Sequence, residues 1–314
     1  MEAVAREKFA CPACGAEAHW NATQQALVCP YCGTTSPLEG PPDSGAAVKE
    51  HDLVEALRSL PDEKRGWKSD KVSVKCQSCQ AISVLDAGRV AQRCEFCGSA
   101  QIVPYDQVKP PISPESVLPF KVDQSVVRDS LRRWYGSRWF APNRLKSAAL
   151  TDTLRGAYLP YWTFDARVHA SWTAESGYHY YTTETYRDSN GQTRTRQVQH
   201  TRWERSSGQL QHFFDDDLIC ASRGIHAQLL RQIEPFPTKQ LTPYTPSFVA
   251  GWVVEQYQLD LIGAAQESRN RMEQQVYTMC ASQVPGDTHR NLQVQSRFSD
   301  QTFKHVLLPL WFVT

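Results

Sequence analysis

Eight of the ten cysteines in this 314-residue chain form two copies of one spacing pattern, C-x2-C-x14-C-x2-C. The candidate metal ligands are Cys11, Cys14, Cys29 and Cys32 in the first copy, and Cys76, Cys79, Cys94 and Cys97 in the second. Two cysteines separated by two residues can turn a tight knuckle and direct both sulfurs at one ion. The 14 intervening residues allow a short strand to leave and return with the second knuckle. The pattern predicts two zinc ribbons, each holding one Zn2+ ion.

Other interpretations of these cysteines are weaker. A complete octet in duplicate spacing argues against disulfides and against cysteines that serve only as small buried side chains. Iron remains an alternative, because CPACG and CPYCG knuckles also occur in rubredoxin-like sites. Four thiolate ligands leave no open coordination position, so we expect two structural zinc ions that do not activate water.

The residue after each knuckle is informative as well. Glycine follows Cys14, Cys32 and Cys97, at a position that often requires a positive φ. Gln80 occupies the equivalent position after Cys79. The second ribbon is therefore expected to be slightly irregular.

Composition limits the protein class. Hydrophobic residues make up 41% of the chain and the net charge is +1, which is typical of a globular protein of about two domains. The sequence contains no run of 18 apolar residues and no signal-peptide core near its start. Because thiolate ligands need a reducing environment, we predict a cytoplasmic protein. Cys220 and Cys280 lie outside the pattern and are interpreted as ordinary buried thiols.

The predicted fold class is α+β: two N-terminal zinc ribbons joined by a helix, followed by a mostly antiparallel β-sheet domain with several helices. The predicted parts are zinc ribbon 1 (1–40), a linker with an amphipathic helix (41–70), zinc ribbon 2 (71–104), a proline-rich linker (105–119) and the α+β domain (120–314). The linker helix is indicated by apolar residues on one helical face, namely Leu53, Val54, Leu57 and Leu60.

Further elements are predicted within the α+β domain. Asp123 can cap a helix that Gly136 ends, and a shorter helix is expected over residues 142–149. Asn190-Gly191 between two Thr-rich runs indicates a hairpin turn. Later helices are expected over residues 222–233 and 260–282. Strands are expected over residues 158–173, 178–187, 193–204, 218–221, 249–257, 292–298 and 305–313.

The C-terminal segment LLPLWFVT is the most apolar of the predicted strands. An unpaired hydrophobic edge of this kind promotes aggregation. We therefore expect the α+β domain to be truncated at its C-terminus and the natural protein to continue beyond Thr314.

The twin cysteine pattern is accompanied by VLPF (117–120), RWFAPNRLK (138–146), YLPYWTFDA (158–166), FFDDDLICAS (213–222) and LPLWF (308–312). With these segments, the chain resembles a bacterial family of twin zinc-ribbon proteins. Members are usually labelled transcription factor IIB-type zinc-ribbon proteins or primosomal protein N′ (replication factor Y) superfamily II helicase-like proteins. The resemblance implies further strand sequence after LPLWF. Because some members continue into membrane spans, it also implies that membrane attachment would come only through a missing C-terminal extension.

The helicase label has no support in the residues. A helicase needs a G-x-x-x-x-G-K-[ST] phosphate loop, and no Gly-Lys pair occurs in this chain. The acidic run Asp215 to Asp217 is interpreted as a solvated turn. The chain also lacks H-E-x-x-H and G-x-S-x-G motifs. No catalytic residue is predicted, and an enzyme whose site is assembled only by the fold is the third functional hypothesis.

The leading hypothesis is a non-catalytic zinc-binding adaptor whose ribbons present a surface to a protein partner. Residues 1–110 contain 12 Lys and Arg and 14 Asp and Glu. Each tetrathiolate zinc site adds a formal charge of about −2, so the loaded region carries about −6. This charge is a poor match to a phosphate backbone.

Nucleic-acid binding, linked to replication or transcription, is the alternative. Its candidate residues are Arg132, Arg133, Arg138, Arg144 and Lys146, which are interleaved with aromatic residues. Basic and aromatic side chains together can hold phosphates and stack bases. We favour a different interpretation, in which Trp134 continues the apolar stripe of Val127 and Leu131 toward the core and the arginines form a solvated helix surface.

Overall fold

The computed structural model describes residues 9–36, 48, 50–58, 71–86, 93–94, 96–97, 99–104, 112–137, 154–225, 227–230 and 232–313. The chain divides into two compact units. Unit 1 comprises residues 1–163, 218–264 and 302–314, and unit 2 comprises residues 164–217 and 265–301. Both cysteine patterns therefore belong to unit 1.

The described elements are short near the N-terminus and long in the second half of the chain. The helices are α1 (Leu53–Arg58), α2 (Gln124–Gly136), α3 (Ala227–Leu230) and α4 (Leu261–Gln283). The strands are β1 (His19–Asn21), β2 (Ala26–Val28), β3 (Thr35–Ser36), β4 (His51–Asp52), β5 (Lys71–Cys76), β6 (Ile82–Asp86), β7 (Ile102–Pro104), β8 (Ser116–Val117), β9 (Leu154–Arg187), β10 (Thr193–Cys220), β11 (Thr242–Pro243), β12 (Val253–Glu255) and β13 (Thr288–Val313).

Two sheets include all of these strands. Ribbon 1 forms its own sheet in the order β1-β2-β3. The second sheet has ten strands, with the order β11-β8-β13-β9-β12-β6-β5-β7, while β10 pairs with β9 and β4 with β13. Ribbon 2 supplies β5, β6 and β7, so it is part of the main sheet. Most described pairings are antiparallel, with β12-β9 and β13-β8 parallel, which confirms the predicted α+β class.

Unit 1 has apolar clusters on both faces of its sheet. Because successive side chains of a strand point to opposite faces, neighbours along β9 and β13 join different clusters. Leu159 and Leu308 belong to the cluster that includes Cys76 and Cys94 of ribbon 2. Tyr158 and Leu307 belong to a cluster that includes Trp20 of ribbon 1. The two ribbons therefore contact opposite faces of one sheet.

Unit 2 combines a hairpin with a helix. The turn between β9 and β10 is the predicted one, since Gly191 has φ 75° and its N–H donates to the Asp188 carbonyl at 3.0 Å. Helix α4 buries every fourth residue in this unit: Ser268, Met272, Val276 and Cys280. The Trp172 indole N–H donates to the Gln283 Oε1 at 3.2 Å, joining the helix to β9.

Several predicted boundaries differ from the structure. Strands predicted as separate at 158–173 and 178–187 are one strand, β9, and the same merging occurs in β10 and β13. Helix α1 lies within the predicted linker helix, but residues 59–70 fall outside the described residues, so a joining helix stays a prediction. The helix over residues 142–149 also falls outside them, and the five-part domain division stays a prediction. Among the described helices, none combines the length and apolar character needed to cross a membrane.

In helix α2 the predicted N-cap is confirmed, but the predicted packing of Trp134 against the core is not. The Asp123 side chain accepts a hydrogen bond from the Ser125 N–H at 2.8 Å, as an N-cap requires. Trp134 is 52% exposed, and α2 buries none of its residues. The interpretation that Trp134 faces the core is therefore wrong. The helix does carry its apolar residues on one face, but none of the residues on that face is buried.

Candidate metal centres

The four Cys-x2-Cys knuckles share one backbone geometry. In each, the first cysteine donates its N–H to the carbonyl five residues later: Cys11 to Ala16 at 2.6 Å, Cys29 to Thr34 at 2.9 Å, Cys76 to Ala81 at 2.9 Å and Cys94 to Ser99 at 2.7 Å. In the three knuckles whose closing residue is described, the residue after the second cysteine donates its N–H to the first cysteine's carbonyl. Gly15 does so in the first knuckle at 2.8 Å and Gln80 in the third at 3.0 Å.

These closing residues adopt the left-handed conformation that the sequence predicts. The φ angles are 73° at Gly15, 72° at Gly33 and 66° at Gln80. Gly98, the fourth such residue, falls outside the described residues. Since left-handed backbone costs a non-glycine residue about 1–2 kcal/mol, ribbon 2 holds Gln80 under strain. The expected irregularity of the second ribbon is therefore limited to residue type at this knuckle, because Gln80 adopts the same backbone geometry as the glycines.

The sulfur atoms of each pattern converge on one point. All four lie within 4.8 Å of one another in both groups. The closest pairs are Cys11–Cys32 and Cys14–Cys29 at 3.5 Å, Cys76–Cys97 at 3.7 Å and Cys79–Cys94 at 3.6 Å. A zinc tetrahedron with bonds of about 2.3 Å has sulfur–sulfur edges of about 3.8 Å, whereas a disulfide needs about 2.0 Å. Each four-cysteine group can therefore hold a zinc ion.

The thiol pKa values of the two groups shift in both directions. The pKa is lowered at Cys32 and Cys76 and is raised at Cys14, Cys79 and Cys94, at the last two chiefly by burial. The Cys32 sulfur accepts hydrogen bonds from the hydroxyl and the N–H of Thr34, which lower its pKa to about 6. Burial raises the pKa of Cys76, but the N–H groups of Cys79 and Ser78 outweigh it and bring the pKa to about 7. The match to a tetrathiolate site therefore comes from the convergence of the four sulfurs in each group. A bound zinc ion would cross-link two knuckles and leave no position for water.

Each site has a buried side and a surface side. The first cysteine of every knuckle is buried, namely Cys11, Cys29, Cys76 and Cys94. Cys14, Cys32 and Cys97 are exposed, whereas Cys79 is half-buried. Metal can therefore enter each site from the surface. Ribbon 2 is the more enclosed, because Cys79 also packs against the main apolar cluster.

A buried carboxyl lies on the strand next to ribbon 2 in the main sheet, and no sequence signal indicated it. Glu255 on β12 is fully buried and pairs in register with Ser83 on β6. Burial raises the pKa of Glu255 to about 8, and the Gln258 amide donates to its Oε1 at 2.9 Å. Its burial follows from long-range strand pairing, which local patterns do not encode.

The candidate nucleic-acid residues are only partly described. Arg132 and Arg133 lie on α2. Arg132 contacts Asp129 at 3.4 Å, and Arg133 donates to the Ser130 hydroxyl at 3.3 Å. Arg138, Arg144 and Lys146 fall outside the described residues. The structure therefore places two adjacent arginines on an exposed helix.

The acidic run is structural. Residues 215–217 lie inside β10, so their interpretation as a solvated turn is wrong. Asp217 accepts a hydrogen bond from Ser268 at 2.6 Å and pairs with Arg271 at 2.6 Å. Asp216 has φ 52° and donates its N–H to Asp165 at 2.6 Å. The run attaches α4 to β10 and shapes the strand.

Comparison with known proteins gives one distant likeness. No protein family and no solved structure matches the chain. The uncharacterized protein YdjG of Bacillus subtilis (strain 168) is 22% identical over 313 residues. That span covers 98% of this chain and 82% of YdjG. The likeness extends over both units, and the name of the relative assigns no activity.

Proposed function

We propose that this protein is a non-catalytic adaptor, in which two structural zinc ions shape ribbons that present a protein-binding surface. The observation that carries the proposal is the closed four-cysteine geometry, which occurs in duplicate. All four sulfurs of each group converge, and in every knuckle the first cysteine donates its N–H to the carbonyl five residues later. An ion held in this way has no free position for a substrate.

Charge supports a protein partner over a phosphate backbone. Residues 9–36, the described part of ribbon 1, contain Glu17 but neither Lys nor Arg. A tetrathiolate zinc site adds a formal charge of about −2. In unit 2, described ion pairs partner arginines with carboxylates, including Arg167 with Asp300 and Arg194 with Asp188. These arginines are already neutralised locally.

Affinity purification of the tagged full-length chain from its host tests the adaptor role. We expect one protein to co-purify in fixed stoichiometry with the wild-type chain. A Cys14→Ser, Cys32→Ser variant should lose that protein, because ribbon 1 cannot close without these ligands. Cys280→Ala, which removes a thiol from α4, is the matched control and should retain it. Equal recovery with both variants would contradict a ribbon-borne interface.

Nucleic-acid binding stays as a second candidate because of one observation. Trp134 is half-exposed beside Arg132 and Arg133 on α2, an arrangement that can stack a base and hold a phosphate. Titration of a labelled single strand at several salt concentrations tests it. Arg132→Ala with Arg133→Ala should weaken binding and reduce the salt slope by about 1–2. Arg202→Ala in unit 2 is the control, and absence of affinity at low salt ends this candidate.

A further inference from the structure

The two ribbons can be compared residue by residue, because a constant offset of 65 relates their cysteines. This offset pairs Tyr31 with Phe96, each lying directly before the last cysteine of its ribbon. It also pairs Ala16 with Ala81, each two residues after the second cysteine. We call Phe96 with Ala81, and Tyr31 with Ala16, the knuckle face of the respective ribbon.

Ribbon 2 shows what its knuckle face binds. Phe96 is 8% exposed and Ala81 is 1% exposed. The Phe96 ring meets Phe312 of β13 edge-on, with centroids 5.5 Å apart. Both knuckle-face residues join the cluster that contains Leu308 and Leu159. This knuckle face therefore docks on an extended segment that offers an aromatic side chain.

Ribbon 1 leaves the aromatic part of the same face open, whereas Ala16 is half-buried. Tyr31 is 82% exposed, the highest value among the large hydrophobic residues that the structure describes. Ribbon 1 attaches to the sheet by a different surface, where the Trp20 indole donates to the Phe120 carbonyl at 3.3 Å and its ring packs on Phe248. Attachment through Trp20 leaves the Tyr31 ring in solvent.

The open face is well suited to binding. Tyr31 lies between Cys29 and Cys32, so the metal knuckle fixes its backbone before any partner arrives. Pre-organised aromatic side chains lose little entropy on binding and often act as interface hot spots. The described part of ribbon 1 has neither Lys nor Arg, and a tetrathiolate zinc site would add negative charge. An anionic phosphate or lipid surface would be repelled, whereas a segment with Lys or Arg would be attracted.

We infer that the ribbon 1 knuckle face docks a protein segment in extended conformation, which presents an aromatic or large aliphatic side chain flanked by basic residues. Its apolar side chain would pack against Tyr31 as Phe312 of β13 packs against Phe96. This inference rests on the proposed adaptor function and names its binding face and the chemistry of its partner.

Peptide display on the zinc-loaded full-length protein tests the inference. The probe is a random 12-residue library, and selected peptides are synthesised and titrated individually. We expect Phe, Trp or Leu next to Lys or Arg in these peptides. Tyr31→Ala should weaken binding about 30-fold or more, the effect of a hot-spot residue. Tyr31→Phe should stay within about threefold, because the ring is retained.

Controls separate this inference from the adaptor function. Tyr186→Ala removes an exposed tyrosine from unit 2 and should leave binding unchanged. Tyr31→Ala should keep the zinc content and the unfolding midpoint, since the ring is exposed. Peptides that bind Tyr31→Ala normally but fail to bind Cys32→Ser would overturn the inference and leave the adaptor function standing. If the library yields no binding peptide for the wild type or for any variant, both the inference and the adaptor function are contradicted.

Two other occupants would also overturn the inference. A dimer in sedimentation experiments that Tyr31→Ala converts to a monomer would assign the face to a second copy of the chain. A single-stranded oligonucleotide whose affinity falls with Tyr31→Ala would assign it to nucleic acid.

Discussion

The two zinc sites should differ in how much of the protein depends on them. Cys32→Ser removes an exposed ligand from ribbon 1, and Cys97→Ser removes the equivalent exposed ligand from ribbon 2. Each change leaves three thiolates and should reduce the zinc content from two ions to one. Because the lost ligands are matched in position and exposure, differences in stability must come from where each ribbon packs.

The size of this difference in stability can be estimated from the side chains that each ribbon buries. Losing ribbon 2 exposes Ile82, Val84 and Phe96, which are all buried, at about 1.5–3 kcal/mol each. The sum is comparable with the whole stability of a typical domain, about 5–15 kcal/mol. Losing ribbon 1 exposes Trp20 and Leu27, which cost about 3–6 kcal/mol on the same scale. The strands of ribbon 1 form a separate sheet, however, whereas loss of ribbon 2 also removes β6 from its pairing with β12. We expect Cys97→Ser to unfold unit 1 at a far lower temperature than Cys32→Ser.

Zinc analysis, thermal unfolding and amide hydrogen exchange together provide the assay. β12 pairs with β6 of ribbon 2, so Cys97→Ser should remove protection from Val254 and its neighbours. Cys32→Ser should lose protection within β1 and β2 and keep it in β12. Equal unfolding temperatures and equal protection of β12 in the two variants would refute the reasoning that ribbon 2 belongs to the main sheet.

Three further predictions concern single residues. Gln80→Gly relieves the strain of the left-handed backbone, so zinc binding by ribbon 2, measured by chelator competition, should strengthen by up to about 1 kcal/mol. Gly33→Ala introduces the same strain and should weaken zinc binding by ribbon 1. An unchanged zinc affinity in both variants would contradict the strain. Glu255 has its folded pKa raised to about 8, so its stabilising contribution is full below about pH 4.5 and is lost as pH rises through 8. Chemical denaturation should show wild type losing about 2–3 kcal/mol more than Glu255→Gln between about pH 6 and 9, and parallel pH profiles would contradict the burial. Gly208→Ala places a Cβ 2.5 Å from the Trp172 ring and should lower stability by about 1–3 kcal/mol, whereas Ser207→Ala on the same strand should change it little.

Local chemistry accounts for what the sequence predicted well. Cysteine spacing identified both four-cysteine groups, because a knuckle is a short-range structure whose ligands are close along the chain. Asp123 identified the start of α2, and Asn190-Gly191 identified the turn between β9 and β10, for the same reason. The positive φ after a knuckle could likewise be predicted from the glycines at these positions, and Gln80 adopts it too.

Long-range packing accounts for what the sequence did not predict. Trp134 lies on a correct apolar stripe, but the stripe does not say whether another element covers it. The cysteine spacing located ribbon 2, but the pairing of its strand β6 with β12 could not be predicted from local sequence. Glu255 is buried by that pairing, which joins it to Ser83, a residue far away along the chain. The contrast between Tyr31 and Phe96 likewise needs the structure, since the two positions look alike in sequence.

The central claim is that each of the two four-cysteine groups holds one structural zinc ion. Metal analysis with zinc-edge X-ray absorption of the full-length protein tests it most directly. The account predicts two zinc ions per chain, each with four sulfur neighbours at about 2.3 Å. Fewer than two ions, iron in place of zinc, or nitrogen and oxygen among the neighbours would contradict it.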